Sequence, residues 1–247
     1  MKTAFLSSLA FASIFMPGAA MAQDDWRSVA VAALPPSGEL HLQFIVADEA
    51  DGFMRLGWTR NEAEGTLEFY DRTMWGAQEI YETMEGAIDA ETLAPLNVSV
   101  RFHHGNTIMS VDASALDGHM VGARNMMQPN GGTQSADINV PISDGMVMRA
   151  AVFLLAQTLP LDVGESVSFD WFASMGGNAG TVSITAAEAV TIEAGATIYD
   201  TIRLELRGES PENDIFVTDT AGIRQVVRIN VLGQPMHFEA FPASPEE

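Results

Sequence analysis

The sequence predicts a mainly β protein, a single antiparallel curved sheet or half-barrel of about ten or more strands with one buried apolar helix. Three observations predict it. Apolar and polar residues alternate in many short runs, most cleanly in Leu96-Asn97-Val98-Ser99-Val100-Arg101-Phe102-His103, and a period of two is that of a half-buried strand. Turn-forming pairs such as Gly105-Asn106 and Asp117-Gly118 separate these runs at short intervals, as hairpins require. Only the stretch from Met146 to Leu159 is apolar nearly all round, interrupted by Arg149, Gln157 and Thr158. A helix of that composition is buried on most of its circumference.

In chain order, residues 1–22 carry Lys2, an apolar run from Ala4 to Met16, and Ala20-Met21-Ala22. That is the pattern of a secretory signal with an A-x-A cleavage site, and the mature chain is expected to begin at Gln23. The apolar run is shorter than the ~20 residues a membrane span needs, so no transmembrane segment is expected in the mature chain. Residues 23–38 read as an N-terminal lead, delimited by Pro35-Pro36 and Gly38. Residues 39–241 are expected to form the β-rich domain and 242–247 a short acidic tail.

Within the domain, Leu40 to Val46 alternates as a strand, and Asp48 to Gly52 is expected to turn it. Phe53 to Arg60, Gly65 to Arg72 and Gly76 to Glu85 continue the meander. Leu96 to His103, Thr107 to Asp112 and His119 to Arg124 follow through the two turns already named, and Met126 to Gly132 is expected to be a loop. Ala136 to Val140 leads to the helix, which Ser143 or Asp144 can cap and Pro160 ends. Val167, Phe169 and Trp171 resume the sheet, Gly176-Gly177-Asn178 forms a hairpin tip, and Ile198, Ile202, Leu204 and Leu206 are expected to face inward. Ile215 to Thr218, Ile223 to Val231 and Met236 to Phe241 complete the strands. So many strands are expected to curve, because a large flat sheet exposes one apolar face and two reactive edges.

Composition narrows the function. The chain of 247 residues has a formal charge of −21 and no cysteine, and Lys2 is its one lysine. Disulfides, thiolate chemistry and a lipid-modified cysteine are excluded, as is a lysine base or Schiff base in the mature chain. Nucleic acid and anionic membrane surfaces need clustered Lys and Arg, so neither is expected as a partner. The acids are scattered, which suits solubility better than an acidic recognition surface. The leader implies a periplasmic protein.

Several short motifs carry a resemblance. Thr92-Leu93-Ala94-Pro95-Leu96, the Asp-led apolar helix ending Leu159-Pro160-Leu161-Asp162-Val163-Gly164, Val190-Thr191-Ile192-Glu193-Ala194-Gly195-Ala196, and Ile215-Phe216-Val217-Thr218-Asp219 before Val226-Val227-Arg228 stand in that order. Over roughly residues 38–241 the chain resembles an exported bacterial family, domain of unknown function 3108. Gly195-Ala196-Thr197-Ile198 and Phe216 depart from its pattern while preserving size. The resemblance implies no catalytic residues, and by fold analogy points to the curved sheets of periplasmic lipoprotein carriers.

Chemical constellations are sparse. His103 and His104 are adjacent on a strand and point to opposite faces, His103 to water and His104 to the packed side, so they cannot chelate one metal. Asp48-Glu49-Ala50-Asp51-Gly52 lacks the alternating ligands of a calcium loop, and Gly176 to Gly180 lacks the helix and Lys of a phosphate loop. No metal or cofactor is expected. Ser166, Ser168, Asp170 and the histidines lack a nucleophile elbow. Methionine is more informative, since soft side chains line adaptable apolar grooves as well as filling cores. A concave sheet closed by the helix would bind a hydrophobic small molecule or lipid, with Met126, Met127, Met146, Met148, Phe169 and Trp171 as the expected lining. The sequence thus favours a non-catalytic exported binding or carrier protein. An envelope module that binds another protein along a sheet edge, and a small hydrolase, are the alternatives; lipid or protein copurification, or loss of turnover without one Ser or His, separates the three.

Overall fold

Alternation is realised as strands along almost the whole chain. The computed structural model describes residues 25–209 and 211–241; the expected leader 1–22, its junction with Gln23, and the tail 242–247 lie outside the described residues. A first helix, α1 (Asp25–Ala33), precedes β1 (Ser37–Val46), β2 (Glu49–Asn61), β3 (Thr66–Trp75), β4 (Ile80–Asp89), β5 (Pro95–His104), β6 (Thr107–Leu116), β7 (His119–Met127) and β8 (Thr133–Pro141). A two-residue strand β9 (Val147–Met148) runs directly into α2 (Arg149–Leu155), and β10 (Ser166–Ala173), β11 (Asn178–Ala194), β12 (Thr197–Arg207), β13 (Asn213–Thr218), β14 (Val226–Val231) and β15 (Met236–Ala240) follow.

All fifteen strands belong to one open sheet, in the order β8-β7-β6-β5-β4-β3-β2-β1-β15-β14-β13-β12-β11-β10-β9. Two meanders are therefore sewn together where the first strand meets the last. Phe44 pairs with Phe238 across that seam, and their rings lie 4.9 Å apart. Neighbours are antiparallel except β9, which runs parallel to β10. Hairpin chemistry sets the register. Asp117 and Gly118 both have positive φ, as do Ala47 and Asp48, and Gly195 and Ala196, the conformation a two-residue type I′ loop demands. Gly105 alone is positive in its loop, which fits type II′. At Gly195 only a glycine fits: a Cβ there would sit 2.4 Å from the Ala240 carbonyl oxygen.

Several expectations need correction. The lead contains a helix, so the described residues hold two helices, not one. Trp26, Ala30, Val31 and Leu34 are buried and join the single hydrophobic core, spaced as one helical face. The Trp26 ring meets Phe169 at 5.4 Å, while Trp58 Nε1 donates to the Pro35 carbonyl and Arg60 to the Val31 carbonyl, each at 3.0 Å. The apolar helix is also shorter than its pattern. Val147 and Met148 pair with Trp171 and Phe172 instead of joining α2, because parallel pairing satisfies their backbone at the sheet edge. Ser143 does not cap α2 but donates to Asp170 at 2.7 Å, and the N-cap Met148 offers no side-chain cap.

α2 also stops early, at Leu155 rather than running to Leu159 before Pro160, and the segment that follows it is tied down by Arg224. Arg224 N–H reaches the Gln157 carbonyl at 2.9 Å, and its guanidinium reaches those of Leu159 and Leu161 at 3.3 and 3.4 Å. The first turn is tighter than expected, at Ala47-Asp48, and Met126 and Met127 lie in β7 with the loop beginning after them. Ile198 is 73% exposed rather than inward, since it sits beside the β11–β12 turn, beyond the reach of the core. His104 is exposed and His103 partly buried, the reverse of expectation, because β5 turns at Gly105 directly after His104.

Candidate functional site

Three charged residues stand where the patterning calls for apolar ones. In β3 the inward series runs Leu67, Phe69, Asp71, Thr73, Trp75, and in β4 it runs Ile80, Glu82, Met84, Gly86, Ile88. Asp71 pairs with Met84 and Thr73 with Glu82, so the two carboxylates are diagonal neighbours on one face of adjacent strands. Arg149 opens α2, which otherwise presents Ala150, Ala151, Val152, Leu154 and Leu155 to the core. All three line one cavity of about 350 Å³ between α2 and the sheet. Its walls are otherwise mostly apolar: Met54, Trp75, Ile80, Met84 and Phe102 from β2–β5, Ile229, Val231, Met236 and Phe238 from β14 and β15, and Phe153 from α2. Phe44 stacks on Trp75 at 4.7 Å and backs this wall.

The electrostatics of the site follow from burial. Asp71 and Glu82 keep some accessible surface, but it faces the cavity they line, and both carboxyls lie deep among protein atoms. Loss of hydration pushes Glu82 up to about 7, helped by the nearby Asp71 charge and opposed by Arg149. The same loss pushes Asp71 up to about 6, opposed by a hydrogen bond from Thr73 Oγ1 at 2.8 Å and by Arg72 and Arg149. Burial pulls the Arg149 guanidinium down, and the two carboxylates counter it. Arg149 forms no direct ion pair with either among the described residues; its guanidinium lies 5.2 Å from the Trp171 ring centroid. It remains a cation, as Arg does in proteins.

Polar groups around the cavity lack hydrogen-bond partners of both kinds. Glu82 accepts no hydrogen bond from the described residues, and its neighbours act on it through charge and burial alone. Asn213, 2% exposed, has an Oδ1 with no partner among them, and so has the Trp75 Nε1 donor. Ser174 also lines the space but donates to Met148 Sδ at 3.2 Å. No histidine is in the lining, so a Ser–His pair for hydrolysis is not assembled there. Among the described residues no group of three or more His, Asp or Glu is placed to hold a metal ion.

The six residues expected to line a pocket lie elsewhere. Met146, Met148, Phe169 and Trp171 are packed together in the core around β9 and β10. Met126 is partly buried and Met127 is 41% exposed on β7. None borders the cavity, whose methionines are Met54, Met84, Met175 and Met236. The signal that finds the site in the sequence is parity: Asp71 and Glu82 fall on the apolar series of their strands, and Arg149 interrupts the apolar helix.

A larger depression, of about 860 Å³, spans β2–β7 but is open and polar. Part of its charge is matched, Arg72 to Glu85 and Asp112 to both Ser99 and Arg101, while Glu64 and Glu68 line it without an ion pair among the described residues. Beside it, Arg55 and Tyr70 hydrogen-bond Glu39, and Arg55 leads in holding that carboxyl below its usual range. This is a solvated, partly self-paired surface. No protein-family model, curated protein or solved structure matches the chain.

Proposed function

We propose that this chain is an exported, non-catalytic protein that binds or carries a hydrophobic small molecule in the cavity under α2. The observation that carries the reading is that cavity: about 350 Å³, walled by aromatic and methionine side chains, with a few convergent polar groups. Sites for small ligands have this make-up. Its size, near the lower end of the ~300–1,000 Å³ usual for such sites, suits a single-chain molecule better than a two-chain lipid. Export rests on the leader pattern of residues 1–22, and kinship with domain of unknown function 3108 rests on the motifs quoted above. Among the described residues no helix is long and apolar enough to cross a membrane.

Curvature of the sheet around this interior is part of the proposal, and the topology supports it. Its two edges, β8 and β9, are separated in sequence only by residues 142–146, a segment that spans at most about 21 Å. Fifteen strands laid flat would place those edges roughly 67 Å apart at ~4.8 Å per step. Arg124 of β7 also reaches the Gly176 carbonyl at 3.4 Å, and Ile138 of β8 is buried close to Gly177.

Titration with the neutral apolar dye N-phenyl-1-naphthylamine tests the reading. Saturable one-to-one binding is expected, at least ten-fold weaker in Phe153→Trp, which fills part of the cavity. A dye that does not bind, or binds both proteins equally, refutes it.

A further inference from the structure

We infer that the cavity under α2 takes a protonated amine carried on an apolar body, with the ammonium set between the carboxylates of Asp71 and Glu82. The inference rests on the binding reading above and adds the chemistry of the head group.

Three independent features of the cavity ask for a cation with several N–H donors. The first is charge. Two carboxylates face one guanidinium, and no histidine or lysine lines the space, so the ionised site is left with one negative charge in excess. Removing charges from water is expensive unless an opposite charge meets them, and Arg149 attracts both carboxylates without reaching either.

The second feature is hydrogen bonding. Glu82 accepts from none of the described residues, and Asp71 takes one bond from Thr73 through Oδ1. Buried acceptors of this kind ordinarily find donors. A primary ammonium brings three, with no acceptor to leave unsatisfied.

The third feature is the wall. Trp75, Phe102, Phe153 and Phe238 line the same space; their faces attract a cation and their bulk packs an alkyl or aryl body. Burial holds the acids toward their neutral forms, and an arriving ammonium would draw them back to the charged ones. An anionic head, by contrast, would add to the excess charge. A fatty acid is therefore the poorer partner, although it matches the walls equally well.

Competition against the bound dye at pH 8, with octylamine, octanol and octanoate as probes, tests the inference. Octylamine should displace the dye at least ten-fold more tightly than octanol, and octanoate should be weakest. Glu82→Gln, which removes a poorly solvated charge and keeps the shape, should bring octylamine close to octanol. If octanol binds saturably and octylamine no better, the amine inference falls and the binding reading stands. If the amine preference persists unaltered in both Glu82→Gln and Asp71→Asn, the assigned head-group site is overturned. If none of the probes competes, both readings fall.

Discussion

Glu82 sits on the apolar side of its strand, and its cost is set by the water it loses rather than by any partner it gains. Its carboxyl is more readily protonated in the folded protein, up to about 7, than at its ordinary 4.5. Folding therefore takes up a proton between these values, and the stability that depends on this group falls as pH rises from about 4.5 to about 7. Asp71 acts in the same direction from 3.8 to about 6. Asp170 has the opposite sign: hydrogen bonds from Ser143 and Thr181 hold it below 3.8, so its contribution is lost only as pH falls below that value. The two windows do not overlap. Denaturant melts at pH 5 and pH 7.5 should show the native protein more stable at pH 5 with respect to this site, and Glu82→Gln should narrow the difference. An unchanged difference would place the titration elsewhere.

Among the elements, α2 is short, with seven residues, and isolated helices of that length do not persist in water. What holds it is burial on the sheet and the anchoring of the segment after it, where Arg224 donates to the carbonyls of Gln157, Leu159 and Leu161. Arg224→Ala should lower stability by about 1–2 kcal/mol, as for hydrogen bonds from a charged donor at a partly exposed site; Arg224→Lys, a single point donor, should restore only part. Equilibrium urea unfolding measures both. For α1 the decisive residue is Trp26, fully buried against Phe169. Trp26→Ala should cost about 3–5 kcal/mol, and a change below about 1 kcal/mol would show that α1 contributes little to the fold.

At the scale of the molecule, two features act on every element at once. One is charge: a formal −21 makes the native state repel itself, and the repulsion is screened by salt. The midpoint of thermal unfolding should rise between 20 mM and about 500 mM NaCl, a range that takes the screening length well below the size of the protein; a flat response would mean that the local pairs of Arg203, Arg207 and Arg228 already offset the excess. The other is the seam of β1 and β15, where the two meanders meet. Phe238 packs on Phe44 there and also lines the cavity. Phe238→Ala should destabilise by about 3–5 kcal/mol and weaken dye binding as well, coupling fold and site in a single pair of measurements.

What the sequence by itself determined is local. Strand positions followed from alternation, because a strand half in water must place its apolar residues two apart, and the Gly105-Asn106 and Asp117-Gly118 turns followed from the φ values their loops require. Even α1 was legible in the spacing of Trp26, Ala30, Val31 and Leu34, although the prolines after it drew the reading toward a lead. Only the tertiary structure decided which of these elements meet. No local rule joins β15 to β1, takes Val147 and Met148 from the helix into a parallel pair, or packs Met146, Met148, Phe169 and Trp171 into solid core. The parity of Asp71 and Glu82 marks them as inward, yet a carboxylate's cost and use depend on what lies across the space it faces. Arg149 is 67 residues beyond Glu82 in the chain, and long-range packing alone brings the three around one cavity.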